Sequence, residues 1–397
     1  MQTARQTASR MDAIQPPIIP VLGQLIRETP GTISLGQGVV HYGPPPAALD
    51  AIRAALADPA THEYQDGSGL PALVERIARK LSADNGIELA RGSRTIVTAG
   101  ANMAFMHAVF AITEPGDEII LPVPFYFNHE MAIEMAGCRA VRVATDERYQ
   151  PRVDALRQAI TPRTRAIVTV SPNNPSGAVF PESTLREINA LCAERGLYHV
   201  ADEVYEYFTY GGARHFSPGS IRGAEAHTIS LYSLSKAYGF AGWRVGYCVY
   251  PDHLDGAMMK SQDTILVCPP VASQLGAIAA LDAGRAYAAP YVAELASIRD
   301  LVLAALASLG PLASVPAADG AFYCLLRVNT SMEPLRLAER LIREHRVAVV
   351  PGTAFGVDRG CSFRVAYGAL QKETVAEGIG RLVEGLRSIA EAARRPS

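Results

Sequence analysis

The chain has 397 residues, 49% of them hydrophobic, and sets 37 lysines and arginines against 39 aspartates and glutamates for a formal charge of −2. That length and apolar share bury a large core divided between two substructures, and the near-neutral balance without a basic cluster excludes a phosphate-tracking nucleic-acid surface. No apolar run is long enough to cross a bilayer, the N-terminal stretch has Arg5 and Arg10 but no apolar signal region, and Cys138, Cys192, Cys248, Cys268, Cys324 and Cys361 stand apart with no C-x-x-C spacing, so reduced thiols in the cytoplasm are expected, with no disulfide and no metal site.

Residues 1–14 are polar and read as a mobile tail. Gln15-Pro16-Pro17-Ile18-Ile19-Pro20 reads as the start of an extended arm, 15–46, that joins a small domain. From 47 to 288 strand and helix patterns alternate, which predicts an α/β fold: a large domain whose mostly parallel sheet has helices on both faces. Within it, the stretch from Leu73 to Lys80 has apolar residues at helical spacing with charges on the other face, and Lys80 reads as a solvated surface lysine. Thr95-Ile96-Val97-Thr98, followed by Ala99-Gly100-Ala101-Asn102, reads as strand, small-residue turn and helix start. Unpaired N–H groups and the helix dipole suit a phosphate there. The strand at Leu121 ends in three consecutive aromatics, Phe125, Tyr126 and Phe127. Ala166–Val170 is an apolar strand that empties into the turn Ser171-Pro172-Asn173-Asn174-Pro175-Ser176-Gly177. Gly196–Val200 is another and leaves Asp202 at its carboxyl end, where α/β sheets bind ligands. Pro290-Tyr291 is expected to open a long helix, and Phe322–Val328, Val347–Val350 and Phe363–Tyr367 read as strands of a smaller α+β domain over 289–397.

The chemistry concentrates at Ser233-Leu234-Ser235-Lys236, which contains one of only four lysines in the chain and is followed eight residues later by Arg244. Lysine, unlike arginine, can lose its proton and form a Schiff base with an aldehyde. Ser233 and Ser235 offer hydroxyl donors, and Arg244 a permanently charged planar fork, for a phosphate. A phosphorylated aldehyde with these needs is pyridoxal phosphate. Lys260 and Lys372 have no comparable setting, and G-x-S-x-G, H-E-x-x-H and Walker A sequences are absent, which removes the corresponding hydrolase readings.

In order and spacing these segments resemble the class I and II aminotransferases, fold-type I pyridoxal phosphate enzymes, and the resemblance runs along the chain from Gln15 onward. It implies that Lys236 carries the cofactor and acts as the proton-transferring base, that Asp202 partners the pyridine nitrogen, and that Asn174 and Tyr205 donate to the ring oxygen. Gly100, Ala101, Asn102, Ser233, Ser235 and Arg244 would hold the phosphate, Tyr126 would stack on the ring, and Tyr64 would reach the phosphate of a neighbouring subunit. Arg364 in Cys361-Ser362-Phe363-Arg364-Val365-Ala366-Tyr367-Gly368 would clamp the substrate α-carboxylate, with Asn174 beside it and Gly38 of Gly36-Gln37-Gly38 approaching the same group.

A homodimer with shared active sites, amino-acid and 2-oxo-acid substrates, and ping-pong transamination follow from that resemblance. The alternative on the same scaffold is a lyase, cyclase or other non-transaminating reaction. Ser261-Gln262-Asp263-Thr264-Ile265-Leu266-Val267-Cys268-Pro269-Pro270 contains no basic residue to meet a second carboxylate. This stretch, Ser34-Leu35-Gly36-Gln37-Gly38 and Ala241-Gly242-Trp243-Arg244-Val245-Gly246 are similar to the kynurenine aminotransferase and glutamine transaminase group. That similarity implies an apolar pocket of Ile18, Val39, Tyr42, Tyr126 and Phe355 and a preference for aromatic or large neutral amino acids.

Overall fold

The computed structural model describes residues 9–12, 14–15, 18–89 and 92–394. Most of the tail expected over 1–14 lies outside the described residues, as do Pro16 and Pro17 of the arm. From Ile18 the arm is not extended: Ile18–Glu28 is a helix, followed by a short strand, β1 (Ile33–Ser34). The reason is visible in its spacing. Ile18, Ile19, Leu22, Leu25 and Ile26 fall on one helical face, and that face packs against the core of the smaller sheet.

Seven strands form the main sheet: β2 (Ser93–Thr98), β3 (Glu118–Val123), β4 (Arg139–Ala144), β5 (Thr164–Val170), β6 (Tyr198–Asp202), β7 (Thr228–Ser233) and β8 (Gly246–Pro251). Their order is β2-β8-β7-β6-β5-β3-β4, parallel except for β8, which runs antiparallel to both neighbours. Ile119, Ile120 and Leu121 are all buried although successive side chains point to opposite faces. Ile119 and Leu121 join a core with Phe105 and Val109 of the helix Ala101–Ile112. Ile120 and Ile167 join another with Ile188 and Leu191 of the helix Glu182–Arg195. Pairing of Val170 with Asp202, and of Asp202 with Leu231, brings the exits of β5, β6 and β7 side by side at one edge of the sheet.

The smaller sheet is antiparallel, in the order β12 (Val350–Pro351), β13 (Cys361–Ala366), β10 (Tyr323–Val328), β9 (Ala313–Ser314), and β1 pairs in parallel with β11 (Val347–Ala348). The long helix does not begin at Pro290. It spans Val271–Ala307 with a break at Gly284, whose φ of 61° and ψ of −166° lie outside helical space. Glycine adopts such a backbone without a Cβ penalty, whereas proline tolerates a helix that has already started nearby and removes one hydrogen bond from it. Among the described residues no helix is long and apolar enough to cross a membrane.

Lys80 is not a solvated lysine. It is 8% exposed, its Nζ sits 2.5 and 2.6 Å from the two carboxylate oxygens of Glu206 and 2.8 Å from Asn85 Oδ1, and the Tyr232 ring lies 4.6 Å away. Helical spacing placed it on the polar face, but the chain continues through a π-helical turn, Leu81–Asn85, and the 203–208 segment covers it. Removing one partner of such a pair strands the other charge. Lys80→Ala is expected to lose about 3–5 kcal/mol in urea unfolding, and an unchanged midpoint would show the pair to be energetically idle.

Candidate active site

The exits of β5, β6 and β7 and the start of the helix Ala101–Ile112 surround one pocket, lined by Ala101, Asn102, Tyr126, Val170, Asn174, Asp202, Val204, Tyr205, Ser233, Ser235, Lys236 and Arg244. A larger cavity of about 470 Å³ lies elsewhere, at the amino ends of β2 and β7, and brings together none of these groups.

After β7, Ser233 caps the short helix Leu234–Ala237, its Oγ accepting from the Ser235 N–H at 3.1 Å, so the Ser233 proton stays free for another acceptor. Lys236 follows on this helix. Its Nζ donates to the Gly38 carbonyl at 2.5 Å. Burial first, then the positive charges of Arg364 and Arg244, push the amine down from 10.5 to about 8, with Asp202 opposing.

Arg244 stands at a left-handed φ of 53°, unusual for a side-chain-bearing residue, and donates through Nη2 to Ala99 O and through Nη1 to Ala241 O, both at 3.0 Å. The guanidinium therefore lies against the start of the helix Ala101–Ile112. Gly100 makes that approach feasible: a Cβ there would sit 2.5 Å from Arg244 Nη2. Fixed guanidinium, helix N-terminus and serine hydroxyls converge as a built anion cradle.

Asp202 is 4% exposed, with its Oδ2 3.1 Å from His129 Nε2 and its Oδ1 accepting from the Val204 N–H at 3.3 Å. His129 stacks on Phe105 at 4.1 Å and meets Tyr126 edge-on at 5.3 Å. Burial pushes the Tyr126 phenol up, with hydrogen bonding from Asn102 opposing, and Asn128 Nδ2 donates to its oxygen at 2.8 Å. Across the pocket, Asn173 holds the turn by accepting from Ser176 N and Oγ, while Asn174 turns inward. Asn174 Nδ2 donates to Tyr205 Oη at 3.3 Å. Arg364 donates through Nη1 to Asn174 Oδ1 at 3.0 Å and through Nη2 to Gly36 O at 2.7 Å, and its guanidinium is sandwiched between the rings of Tyr323 at 4.8 Å and Phe355 at 5.0 Å. Among the described residues Arg364 Nε is buried without a partner. A guanidinium has only donors, so this N–H suits an acceptor.

A family model described as aminotransferase class I and II matches residues 30–382. The chain belongs to this family. An aromatic aminotransferase of Arabidopsis thaliana is 33% identical over 383 residues, 94% of each chain. An aspartate/prephenate aminotransferase of Thermus thermophilus is 36% identical over 338 residues, 84% of this chain and 86% of its own. The solved aromatic aminotransferase from Pyrococcus horikoshii superposes with a TM-score of 0.85 at 33% identity, over 93% of this chain and 99% of that one.

This aminotransferase is pyridoxal phosphate dependent, and the residues fit the cofactor. The pocket offers an amine with a depressed pKa, an anion cradle that a Cβ at position 100 would crowd, a buried carboxylate, and the amide of Asn174 and phenol of Tyr205.

Of the residues singled out in the sequence, Ala101, Asn102, Tyr126, Asn174, Asp202, Tyr205, Ser233, Ser235, Lys236 and Arg244 line this one pocket, with Gly38, Gly100 and Arg364 in contact with its groups. The others lie apart from that lining. Tyr64 is 84% exposed, Val39 is 37% exposed, and Ile18 packs toward the small sheet. Phe355 is fully buried beneath Arg364, and Tyr42 donates to the Lys236 carbonyl at 3.0 Å while stacking on Tyr291. Gln262 is no free polar lining: it is fully buried and donates to Gly67 O and Val97 O. Sequence reasoning missed His129, Tyr323, Val170 and Val204. Val204 lay within a motif already marked by Asp202 and Tyr205, but nothing local distinguishes His129 or Tyr323.

Proposed function

We propose that the aminotransferase moves an amino group between an aromatic or large neutral L-amino acid and a 2-oxo acid in ping-pong order. The observation that carries the reading is the Lys236 amine in one pocket with Asp202, Asn174 and Arg244, where Arg364 Nη1 donates to Asn174 Oδ1 at 3.0 Å. When bound, pyridoxal phosphate supplies the aldehyde that accepts the amino group and the ring that withdraws electrons from the reacting carbon.

In this reading Gly100, Ala101, Asn102, Ser233, Ser235 and Arg244 would hold the phosphate, Tyr126 would pack against the ring, and Asp202 would partner the ring nitrogen. Asn174 and Tyr205 would donate to the ring oxygen. Arg364 binds the substrate α-carboxylate, with Gly38 and Asn174 at its side, which orients the Cα–H bond toward Lys236. Lys236 takes that proton at Nζ and returns it, and burial with the charges of Arg364 and Arg244 eases its passage between the two forms. Of the apolar residues that the resemblance offered, Tyr126 in the pocket lining and the exposed Val39 are the ones open to an apolar substrate side chain, and burying such a side chain contributes roughly 1.5–3 kcal/mol.

The side-chain preference is supported by the relative named for aromatic substrates and by the lack of a basic residue across Ser261–Pro270. The relative named for aspartate and prephenate marks the competing outcome. We also propose a cytoplasmic homodimer in which Tyr64 reaches the phosphate of the other copy, consistent with its exposure and with six free cysteines. The chain then divides into an arm over 15–46, a large cofactor-binding domain over 47–288 and a small domain over 289–397.

One experiment tests the set: purified holoenzyme of measured solution mass, steady-state kinetics on phenylalanine, kynurenine, glutamine, methionine, arginine and aspartate, and product identification. The expected result is a dimer with its highest kcat/KM on phenylalanine or kynurenine and a 2-oxo acid as product. The highest kcat/KM on aspartate or arginine rejects the substrate preference, ammonia release favours a lyase, and full activity as a monomer removes Tyr64 from the site.

A further inference from the structure

Tyr205 and Tyr323 approach through their hydroxyls at 3.0 Å, both fully enclosed, with the rings edge-on at 5.5 Å. Tyr323 is the first residue of β10, and its ring also supports the Arg364 guanidinium. The direction of each hydrogen bond in this cluster follows from counting donors. Arg364 has only donors, so the Asn174 atom 3.0 Å from its Nη1 is the amide oxygen, and the Asn174 amide nitrogen must face Tyr205 and donate to it. A phenol has one proton and two acceptor sites. Tyr205 therefore already accepts once. Tyr323 Oη has Tyr205 Oη as its hydrogen-bond partner among the described residues, so the Tyr323 proton is satisfied only by donating there.

We infer that Tyr323 is a positioning residue: its hydroxyl donates to the Tyr205 oxygen, fills that oxygen's second acceptor site, and leaves the pocket as the single outlet for the Tyr205 proton. Tyr205 cannot answer by ionising, because burial and the neighbouring Tyr323 push its phenol well above the ordinary range. A phenol that accepts two hydrogen bonds donates more strongly through its own proton. Tyr323 thus sets both the direction and the strength of the Tyr205 donor from outside the pocket lining.

This rests on the proposed role of Tyr205 as donor to the cofactor ring oxygen, and the test separates the two. The holoenzyme without substrate is titrated by its visible absorption from pH 5 to 10, for the unsubstituted protein, Tyr323→Phe, Tyr205→Phe and the double variant, with thermal melts as a check on folding. Donors to an anionic ring oxygen lower the titration midpoint, so a weakened donor raises it. Tyr323→Phe keeps the ring under Arg364 and is expected to raise the midpoint by about half a pH unit, less than Tyr205→Phe. In the double variant the Tyr323 substitution should add nothing to Tyr205→Phe, because it acts only through that oxygen. An unchanged midpoint in Tyr323→Phe, or an equal shift in both backgrounds, overturns the inference. Absence of a shift in Tyr205→Phe as well would instead overturn the Tyr205 role.

Discussion

Lys236→Ala is expected to remove the pH-dependent visible absorption of the holoenzyme and to cut turnover on the order of 10⁴-fold or more, since it deletes the proposed attachment amine and acid–base group together. Lys260→Ala and Lys372→Ala should leave both intact, because both side chains are exposed. Yellow colour that borohydride still fixes to the Lys236→Ala protein would defeat the assignment. The same residue has a pH signature. Burial and the charges of Arg364 and Arg244 disfavour the ammonium form, so the amine becomes neutral near pH 8 rather than near 10.5. Only the neutral amine attacks an aldehyde. Cofactor capture by cofactor-free protein should therefore accelerate about tenfold per pH unit below that midpoint and level off above it, where an unperturbed lysine would keep gaining to about pH 10.4. Stopped-flow absorbance measures this directly, and a rate still rising tenfold per unit at pH 9.5 would contradict a depressed amine.

Asp202→Asn is expected to slow removal of the substrate Cα proton by roughly 10²–10⁴, the equivalent of losing a buried charge partner worth about 3–5 kcal/mol. The carboxylate is buried, with His129 Nε2 at 3.1 Å and the Val204 N–H at 3.3 Å, on the pocket where the proposed ring would bind. Asparagine keeps the shape and removes the charge. Cofactor affinity should fall much less than rate, because Arg244, Ser233, Ser235 and the helix start, the groups proposed to hold the phosphate, are untouched. Single-turnover mixing with phenylalanine, alongside a spectral titration of cofactor binding, separates the two quantities. Proton removal within a few-fold of the unsubstituted enzyme would mean that the charge lies elsewhere.

Some of this protein was legible because its determinants are local. A strand that ends in a small-residue turn and a helix start, a serine that caps the helix carrying Lys236, and an asparagine turn after an apolar strand are each complete within about ten residues. Parallel pairing of neighbouring strands then brings their exits together whatever the rest of the chain does. Burial and pairing are not local. Lys80 lies 126 residues from Glu206, and helical spacing put it on a polar face that the 203–208 segment in fact covers. Tyr205 and Tyr323 are 118 residues apart and meet only where the start of β10 reaches the exit of β6. His129 reaches Asp202, 73 residues on, from the first turn of the helix Phe127–Met135, a stretch that reads by itself as an aromatic cluster. The amino-acid sequence thus determined which residues gather in one pocket, through strand ends, caps and turns. The tertiary structure alone decided their acidities and the direction of their hydrogen bonds, because desolvation and donor counting depend on which distant groups close over them.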